Sequence, residues 1–460
     1  MADKIKITII GGGVGGYPAA IKAARMGADV TLIEQNFLGG TCLNWGCIPT
    51  KSLLHAGEVV QTMKESKTFG ISCKGYSVDF KAVVKRKDTV VKQLRQGVEG
   101  LLKAKKIRVV QGTAEFVDAS TVQIKDTGEK IKSDKILITS GSRPGTLKFK
   151  GSDGSDVLNS DQVLALKVLP KSVVIIGGGV IGVEFAQIFH RLGAKVTILE
   201  LLETLVPGTD KEIAQSLEQS MVAEGIEVIT GAGVKEIIQK KGTNKVLYTA
   251  ADQEKSVSGE KVILSVGRKP DISSLKVDNV GLVHENGAIV VNDRMETNVP
   301  GIYAAGDVIG GIMLAHVATM EGECAVSNAL GKESIISYKA IPSCIYTDPE
   351  VASVGLTEEE AKENYDIEVG RFPFYACGKA LVINRTHGMI KIITEKEFDE
   401  VIGVHIIGPR ATDLIAEAVL GMTMEMTVEE LAHAVHPHPT LSESMMESAL
   451  SLYGGAIHMP

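Results

Sequence analysis

The 460-residue sequence is poor in aromatic residues (4%, one tryptophan), holds only six cysteines and carries no large excess of either charge. Each scarcity excludes something. With 49 basic against 56 acidic residues, net -7, the chain lacks the positive field that nucleic acid or an anionic membrane surface demands of a main partner. The basic cluster Lys85-Arg86-Lys87 reads as the solvated face of a helix. The longest uncharged apolar stretch, residues 7–20, is broken by five glycines and falls short of the ~18 residues that a spanning helix needs. Met1-Ala2-Asp3-Lys4 leads straight into a strand pattern, without the layout of a secretory leader. A soluble, cytoplasmic protein is expected, in a reducing compartment where a disulfide is usually catalytic rather than structural. The length exceeds what one hydrophobic core can serve, so two to four domains are expected.

What is present is concentrated in residues 39–51, Gly-Gly-Thr-Cys-Leu-Asn-Trp-Gly-Cys-Ile-Pro-Thr-Lys, which holds two of the six cysteines and the tryptophan. In a regular helix Cys42 and Cys47 would stand roughly 8.6 Å apart at Cα, beyond the ~7 Å that a disulfide bridges. The pair can close only where the helix is interrupted. Gly46 loosens the backbone there, and Pro49 suits the first turn of a new helix. Cys47 is therefore expected at a helix N-terminus, where dipole and free N–H groups favour a thiolate. Two other readings stand beside a redox disulfide at this point. A structural staple closing so short a loop would contribute only ~2 kcal/mol, and half a zinc site would need His433, His436 and His438 to complete it. Cys73, Cys324, Cys344 and Cys377 suggest no second pair, and no metal is expected.

The neighbouring patterns favour redox chemistry. Residues 6–34 read as strand, glycine turn, helix, strand and acid: Gly11 makes the tight turn, Gly13 lets backbone approach a pyrophosphate, Gly16 permits close helix packing, and Glu34 is placed for a ribose hydroxyl. Pro18 is tolerable only if the helix has just begun. The pattern returns at Gly177, Gly179, Gly182 and Glu200, with the acid again 23 positions after the first glycine. Residues 7–34 and 173–200 are identical at 14 of 28 positions. The chain thus carries two dinucleotide units, which suggests a flavin exchanging electrons with a nicotinamide. The cysteines follow the first unit closely, so that unit is expected to hold FAD. Glu200, with no arginine between it and Arg268, favours NAD over NADP at the second, because a carboxylate repels a 2'-phosphate.

Between the units, residues 51–102 read as two amphipathic helices, followed by short strands at 108–110, 114–117 and 121–124, a strand and turn at 135–144, and a linker at 145–155. A similar strand and turn ends the second unit at 262–270. Residues 301–308 form an apolar strand delivering Asp307 at its end, an acceptor suited to polyol hydroxyls or a helix cap, and Ala315 begins a helix whose N–H groups are free. Strands at 389–394 and 401–407 and a helix from Thr412 precede His436-Pro437-His438-Pro439-Thr440-Leu441-Ser442-Glu443, in which Glu443 can return to hold the His438 ring, a base with its orienter.

These residues together resemble the pyridine nucleotide-disulfide oxidoreductase family, over essentially the whole chain from Lys6 to about Ser451. The cysteine motif, both glycine fingerprints, Ala-Ala-Gly-Asp at 304–307, Leu-Ala-His-Val-Ala at 314–318, Ile-Pro-Ser-Cys-Ile-Tyr-Thr-Asp-Pro-Glu at 341–350 and His-Pro-Thr-Leu-Ser-Glu at 438–443 carry the likeness. It implies an α/β fold of two Rossmann-like dinucleotide-binding domains (1–145 for FAD, 146–272 for NAD), a central domain (273–340) completing the FAD site, and an α+β dimerisation domain (341–460). It implies a homodimer that oxidises a protein-bound dihydrolipoyl dithiol, borne on the lipoyl domain of a 2-oxo acid dehydrogenase acyltransferase or on a glycine cleavage H protein, and reduces NAD+. Cys42 would exchange with substrate and Cys47 would face the flavin. His438, oriented by Glu443, would take the substrate proton in the other subunit. Lys51 would lie by the flavin, paired with Glu184. FAD would also touch Gly112 or Ala114, Gly141, Asp307 and Ala315, and NAD would touch Glu184, Val234 and Gly267. The chain departs from many relatives at Lys379-Ala380, where they have Arg-Ala, and at Thr139-Ser140, where they have Ala-Thr.

Overall fold

In the computed structural model, residues 4–459 are described, so Met1–Asp3, part of the expectation for the N-terminus, lie outside the described residues. Short strands of three to six residues build two sheets of the same design. The first holds, in order, Ile302–Ala304, Lys135–Ile138, Lys6–Ile10, Asp29–Glu34 and Arg108–Gln111, all parallel. The second holds Glu227–Ile229, Lys195–Leu199, Ser172–Ile176, Lys261–Leu264 and Val157–Asn159, again all parallel. Parallel strands must be buried on both faces. The strands of 6–10 and 172–176 accordingly have every residue after the first buried.

The helices are α1 (Gly16–Arg25), α2 (Gly40–Trp45), α3 (Cys47–Glu65), α4 (Phe80–Ala104), α5 (Ser160–Leu164), α6 (Val180–Leu192), α7 (Lys211–Glu224) and α8 (Ala315–Ala329) before the C-terminal part. Pro18 is the third residue of α1, where its missing N–H is not needed. Helices α3 and α4 match the two expected between the units. Lys85 and Arg86 are exposed as the solvated-face reading requires, but Lys87 is buried. Its Nζ donates to the Leu164 carbonyl at 2.8 Å, because α4 packs against the entrance to the second unit on that side.

Two features were not visible in the sequence. Residues between the second sheet's strands fold out as a three-stranded antiparallel sheet, Gly233–Lys240, Thr243–Ala250 and Gln253–Gly259. The two similar turns that end the units pair with one another, Ser142–Pro144 antiparallel to Arg268–Pro270. The strand of 302–304, although 164 residues after its neighbour at 138, completes the first sheet, and α8 packs on α1. The C-terminal part is a five-stranded antiparallel sheet, Ser343–Ile345, Glu350–Gly355, Val401–Gly408, Met389–Glu395 and Ile367–Pro373, with helices from Ala411 onward packed on its core.

A Cβ on Gly182 would stand 2.0 Å from the Gly177 carbonyl oxygen, whereas one on Gly179 would meet nothing within 4 Å. Gly182→Ala should therefore cost about 1–3 kcal/mol of stability, and Gly179→Ala should stay within about 0.5 kcal/mol. Urea unfolding midpoints at constant slope measure both, and equal losses would refute the packing role of Gly182.

Candidate active site

The interruption expected between the cysteines is present. Helix α2 ends at Trp45, Gly46 adopts φ -139° and ψ -114°, and α3 begins at Cys47 itself. The only tryptophan anchors the short helix against Phe37, with ring centroids 5.9 Å apart. Both cysteines are half-buried free thiols, and the interaction between their side chains is the largest influence on the acidity of each. That interaction splits their acidities. It pushes Cys42 well above the ordinary thiol range, with burial adding to the effect. It lowers Cys47 to about 7, against burial and with help from the Lys51 charge. Cys47 is therefore the thiol that ionises first and Cys42 is the proton holder.

One turn into α3, the Lys51 ammonium lies 2.8 Å from each Glu184 oxygen and 4.4 Å from the centre of the Tyr346 ring. Glu184 sits on α6, is 2% exposed and also accepts the Tyr346 N–H at 3.0 Å. Three parts of the chain thus meet beside the thiols: the cysteine helix, the second unit and the C-terminal sheet. The carboxylate of Glu184 is committed to these partners.

The two glycine turns repeat in detail. Glu34 accepts the Gly12 N–H at 2.7 Å and the Asn36 N–H at 2.7 Å. Glu200 accepts the Gly178 N–H and, at 2.8 Å, the Leu202 N–H. Each oxygen keeps a lone pair for a further hydroxyl donor. Burial raises the Glu34 carboxyl despite the opposing backbone N–H groups. The departures at 139 and 140 also have places: the Thr139 hydroxyl donates to Gly11 O at 2.9 Å, and Ser140 donates to Asp271 O at 2.8 Å. Lys379, the third departure, is half-buried on the short helix Gly378–Val382.

Both cofactors implied by these turns fit what surrounds them. Gly13 and the Gly40 backbone approach so closely that a Cβ on Gly40 would lie 2.6 Å from Gly13 Cα, while Gly141, at φ +77°, faces open space. The free N–H groups opening α8 at Ala315 and the Asp307 carboxylate border the same side of the first sheet. A backbone-walled groove with two helix N-termini suits an extended anionic dinucleotide. Gly112 and Ala114 lie at the far edge, with the Gly112 N–H on Glu34 O at 2.9 Å. At the second turn, Gly179, Gly231 and Gly267 all face open space, and Val234 is in the adjoining antiparallel sheet.

Partners missed in the sequence tie this groove together. The Arg268 Nε donates to the Ser142 hydroxyl at 2.7 Å, Ser142 donates to Asp307, and Arg268 lies 3.9 Å from the Asp307 carboxylate. Glu321 holds the Gly306 N–H at 2.7 Å and accepts the Tyr338 hydroxyl at 2.8 Å. No spacing signal could have revealed these, because each joins residues from different elements.

His438 and Glu443 are brought together, with Nδ1 2.8 Å from Oε1. The other Glu443 oxygen accepts the Thr440 N–H at 2.7 Å. Burial would raise the Glu443 carboxyl, but that N–H and the histidine hold it below the usual range. The His438 side chain is 79% exposed, and among the described residues no hydrogen bond joins it to either thiol. Its neighbour His436 is turned inward instead, to Glu417 at 2.6 Å and Ala434 O at 2.8 Å.

The pyridine nucleotide-disulphide oxidoreductase family model matches residues 5–322, and that family's dimerisation domain matches residues 341–449. Among curated proteins, a dihydrolipoyl dehydrogenase of Bacillus subtilis (strain 168) is 41% identical, covering all of both chains. One of Thermus scotoductus is 42% identical over 98% of each, and a mitochondrial one of Pisum sativum is 39% identical over all of this chain and 93% of that one. Among solved structures, the HOCl-induced flavoprotein disulfide reductase RclA of Escherichia coli superposes with TM-score 0.87 at 31% identity, covering 97% of this chain and 99% of that one. The fold, the twin glycine turns, the cysteine pair and these matches agree: the chain belongs to the pyridine nucleotide-disulphide oxidoreductases, FAD- and NAD-using enzymes, and carries the dimerisation domain through which it forms a homodimer.

Proposed function

We propose that the chain is an NAD+-dependent dihydrolipoyl dehydrogenase acting on a lipoyl group carried by another protein, the lipoyl domain of a 2-oxo acid dehydrogenase acyltransferase or a glycine cleavage H protein. The observation that carries this reading is the Cys42–Cys47 pair across the break between α2 and α3, with Cys47 opening α3 one turn before Lys51 and the two thiols shifted in opposite directions. The net reaction balances as a dithiol and NAD+ giving a cyclic disulfide, NADH and one proton. The work divides among 1–145 for FAD, 146–272 for NAD, 273–340 completing the FAD groove and 341–460 for assembly, in the cytoplasm.

Residues of this chain prepare each step. In the oxidised enzyme Cys42 and Cys47 are joined. A substrate thiol, losing its proton to His438 of the second subunit, attacks the Cys42 sulfur and breaks the Cys42–Cys47 bond. Cys47 leaves as a thiolate, which the helix N-terminus and Lys51 stabilise. The second substrate sulfur then attacks the first, closing the lipoyl disulfide and leaving Cys42 to keep a proton. Glu443 holds the ring by Nδ1, so that Nε2 faces substrate. Bound FAD supplies two-electron transfer between this dithiol and NAD+. Gly11, Gly13, Gly16, Glu34, Gly112 or Ala114, Gly141, Asp307 and Ala315 would hold FAD, with Lys51 beside it. Gly177, Gly179, Gly182, Glu200, Val234 and Gly267 would hold NAD+, and Glu184 would serve by fixing Lys51.

Turnover of dihydrolipoamide with NAD+ tests the assignment. Cys47→Ser should abolish it, and His438→Ala should lower kcat by ~10²-fold or more with flavin content unchanged. Near-normal turnover in either variant would rule the reading out. The acidity of Cys47 gives a second check. Because its thiol is lowered to about 7, the anion is present above that pH and is lost by protonation below it. Iodoacetamide alkylation of Cys47 in the reduced protein, followed by mass spectrometry, should rise through about that pH. In Cys42→Ala the inflection should move upward, since the Cys42 side chain is the largest cause of the lowering.

A further inference from the structure

A buried ammonium surrounded by carboxylates lies away from the thiols, at the seam between the second unit and the C-terminal sheet. Lys391 is 1% exposed, and its Nζ donates to the two Asp210 oxygens at 2.9 and 2.8 Å. Glu358 lies 2.7 Å away and Glu212 3.2 Å. Arg371 joins the cluster through Glu212 at 2.9 Å and Glu358 at 2.7 Å. Nothing in the chemistry proposed above uses these residues. An isolated surface pair would call for no explanation, but an ammonium and a carboxylate at 1% and 0% exposure are costly unless their geometry is fixed.

The cluster leads to the second glycine turn. Asp210 caps α7 by accepting the Glu212 N–H at 3.1 Å and closes the segment 201–210, which wraps that turn. Within it the Leu202 N–H donates to Glu200, and the Val206 N–H donates to Gly178 O at 2.9 Å. Leu205 and Glu200 occupy the space that a Cβ on Gly178 would need. Val206 is 1% exposed at φ 45°. A β-branched residue in the left-handed region persists only where its surroundings impose it. The Thr209 N–H on Val206 O, at 3.1 Å, joins this strained residue to Asp210.

We propose that Lys391 is a positioning residue for the nicotinamide coenzyme: from the dimerisation domain it pins Asp210, and through Asp210 the strained segment that braces the second glycine turn. Coenzyme affinity thereby depends on a side chain in a different domain. The proposal rests on assigning the second unit to NAD, made above.

The test uses the FAD-loaded dimer and titration calorimetry with NAD+. Because Lys391→Met alone leaves buried acids unpaired, the paired variant Lys391→Met/Asp210→Asn removes charge and partner together. Its Kd for NAD+ should rise about tenfold, while flavin content and the rate of flavin reduction by dihydrolipoamide stay within about twofold. Lys391→Arg should recover most of the affinity. An unchanged Kd in the folded variant would overturn the proposal, as would equal losses in both half-reactions. If the paired variant does not fold, Asp210→Asn, which removes the charge that Lys391 holds while Glu358 and Glu212 keep the ammonium paired, should weaken NAD+ about threefold, and no weakening would overturn it. Calorimetry needs no dithiol, so an unsubstituted protein that ignores dihydrolipoamide would remove the proposed substrate and leave the role of Lys391 standing or falling on its own Kd.

Discussion

The packing of α3 against α6 decides where the thiols stand relative to both glycine turns. Helix α3 starts at Cys47, directly after α2 and the break at Gly46, on the first unit's side of the chain, yet its body leans on the second unit. Gly57 allows the approach, since a Cβ there would lie 3.2 Å from the Arg191 side chain, and Lys51–Glu184 fixes the register. With Glu184 at 2% exposure, losing Lys51 would leave a buried carboxylate without its counter-charge, a disruption of ~3–5 kcal/mol. Such a pair contributes little net stability compared with apolar residues of the same shape. Its value lies in allowing one arrangement, with an ammonium beside a thiol that must ionise.

That ammonium and the helix start explain why two chemically identical thiols differ. Their proximity lets one sulfur hold the proton and the other the charge, and each environment then reinforces its own choice. Cys47 has the helix N-terminus and Lys51 nearby, so the anion is favoured. Cys42, on α2, is left with burial and with a neighbouring anion, both of which resist ionisation. Exchange chemistry with a substrate thiol uses this asymmetry, because the better leaving group is the sulfur that the fold has already prepared to be a thiolate.

Features defined by short spacing were legible in the sequence. The glycine turns, the acids 23 residues on, the break between Cys42 and Cys47 and the His438–Glu443 pair are each written within a few turns of chain. Pro18 could be placed for the same reason. Features whose partners are distant were not legible. Lys87 sits in a basic cluster with nothing local to mark it as buried, and Lys391 alternates with apolar residues in a strand as a solvated lysine would. Tyr346, Arg268, Ser142 and Glu321 matter through contacts across 15 to 165 positions. The antiparallel excursion at 233–259 lacked a turn signal strong enough to separate it from the parallel sheet around it.

The C-terminal domain contributes more than a contact surface. It holds a histidine whose ring is oriented by a carboxylate but is 79% exposed and bonded to neither thiol of its own chain. On the proposed function an oriented base without a proton to take is a half-site, and a two-fold dimer would supply the other half twice, since an isologous interface repeats every contact it makes. The same domain sends the Tyr346 N–H to Glu184 and Lys391 to Asp210. One contact bears on the cysteine helix and the other on the loop bracing the second glycine turn. On the proposed function a monomer would lack the acid–base group at its thiols, whereas the Tyr346–Glu184 and Lys391–Asp210 contacts lie within one chain, so one domain serves both assembly and the supports of the two units.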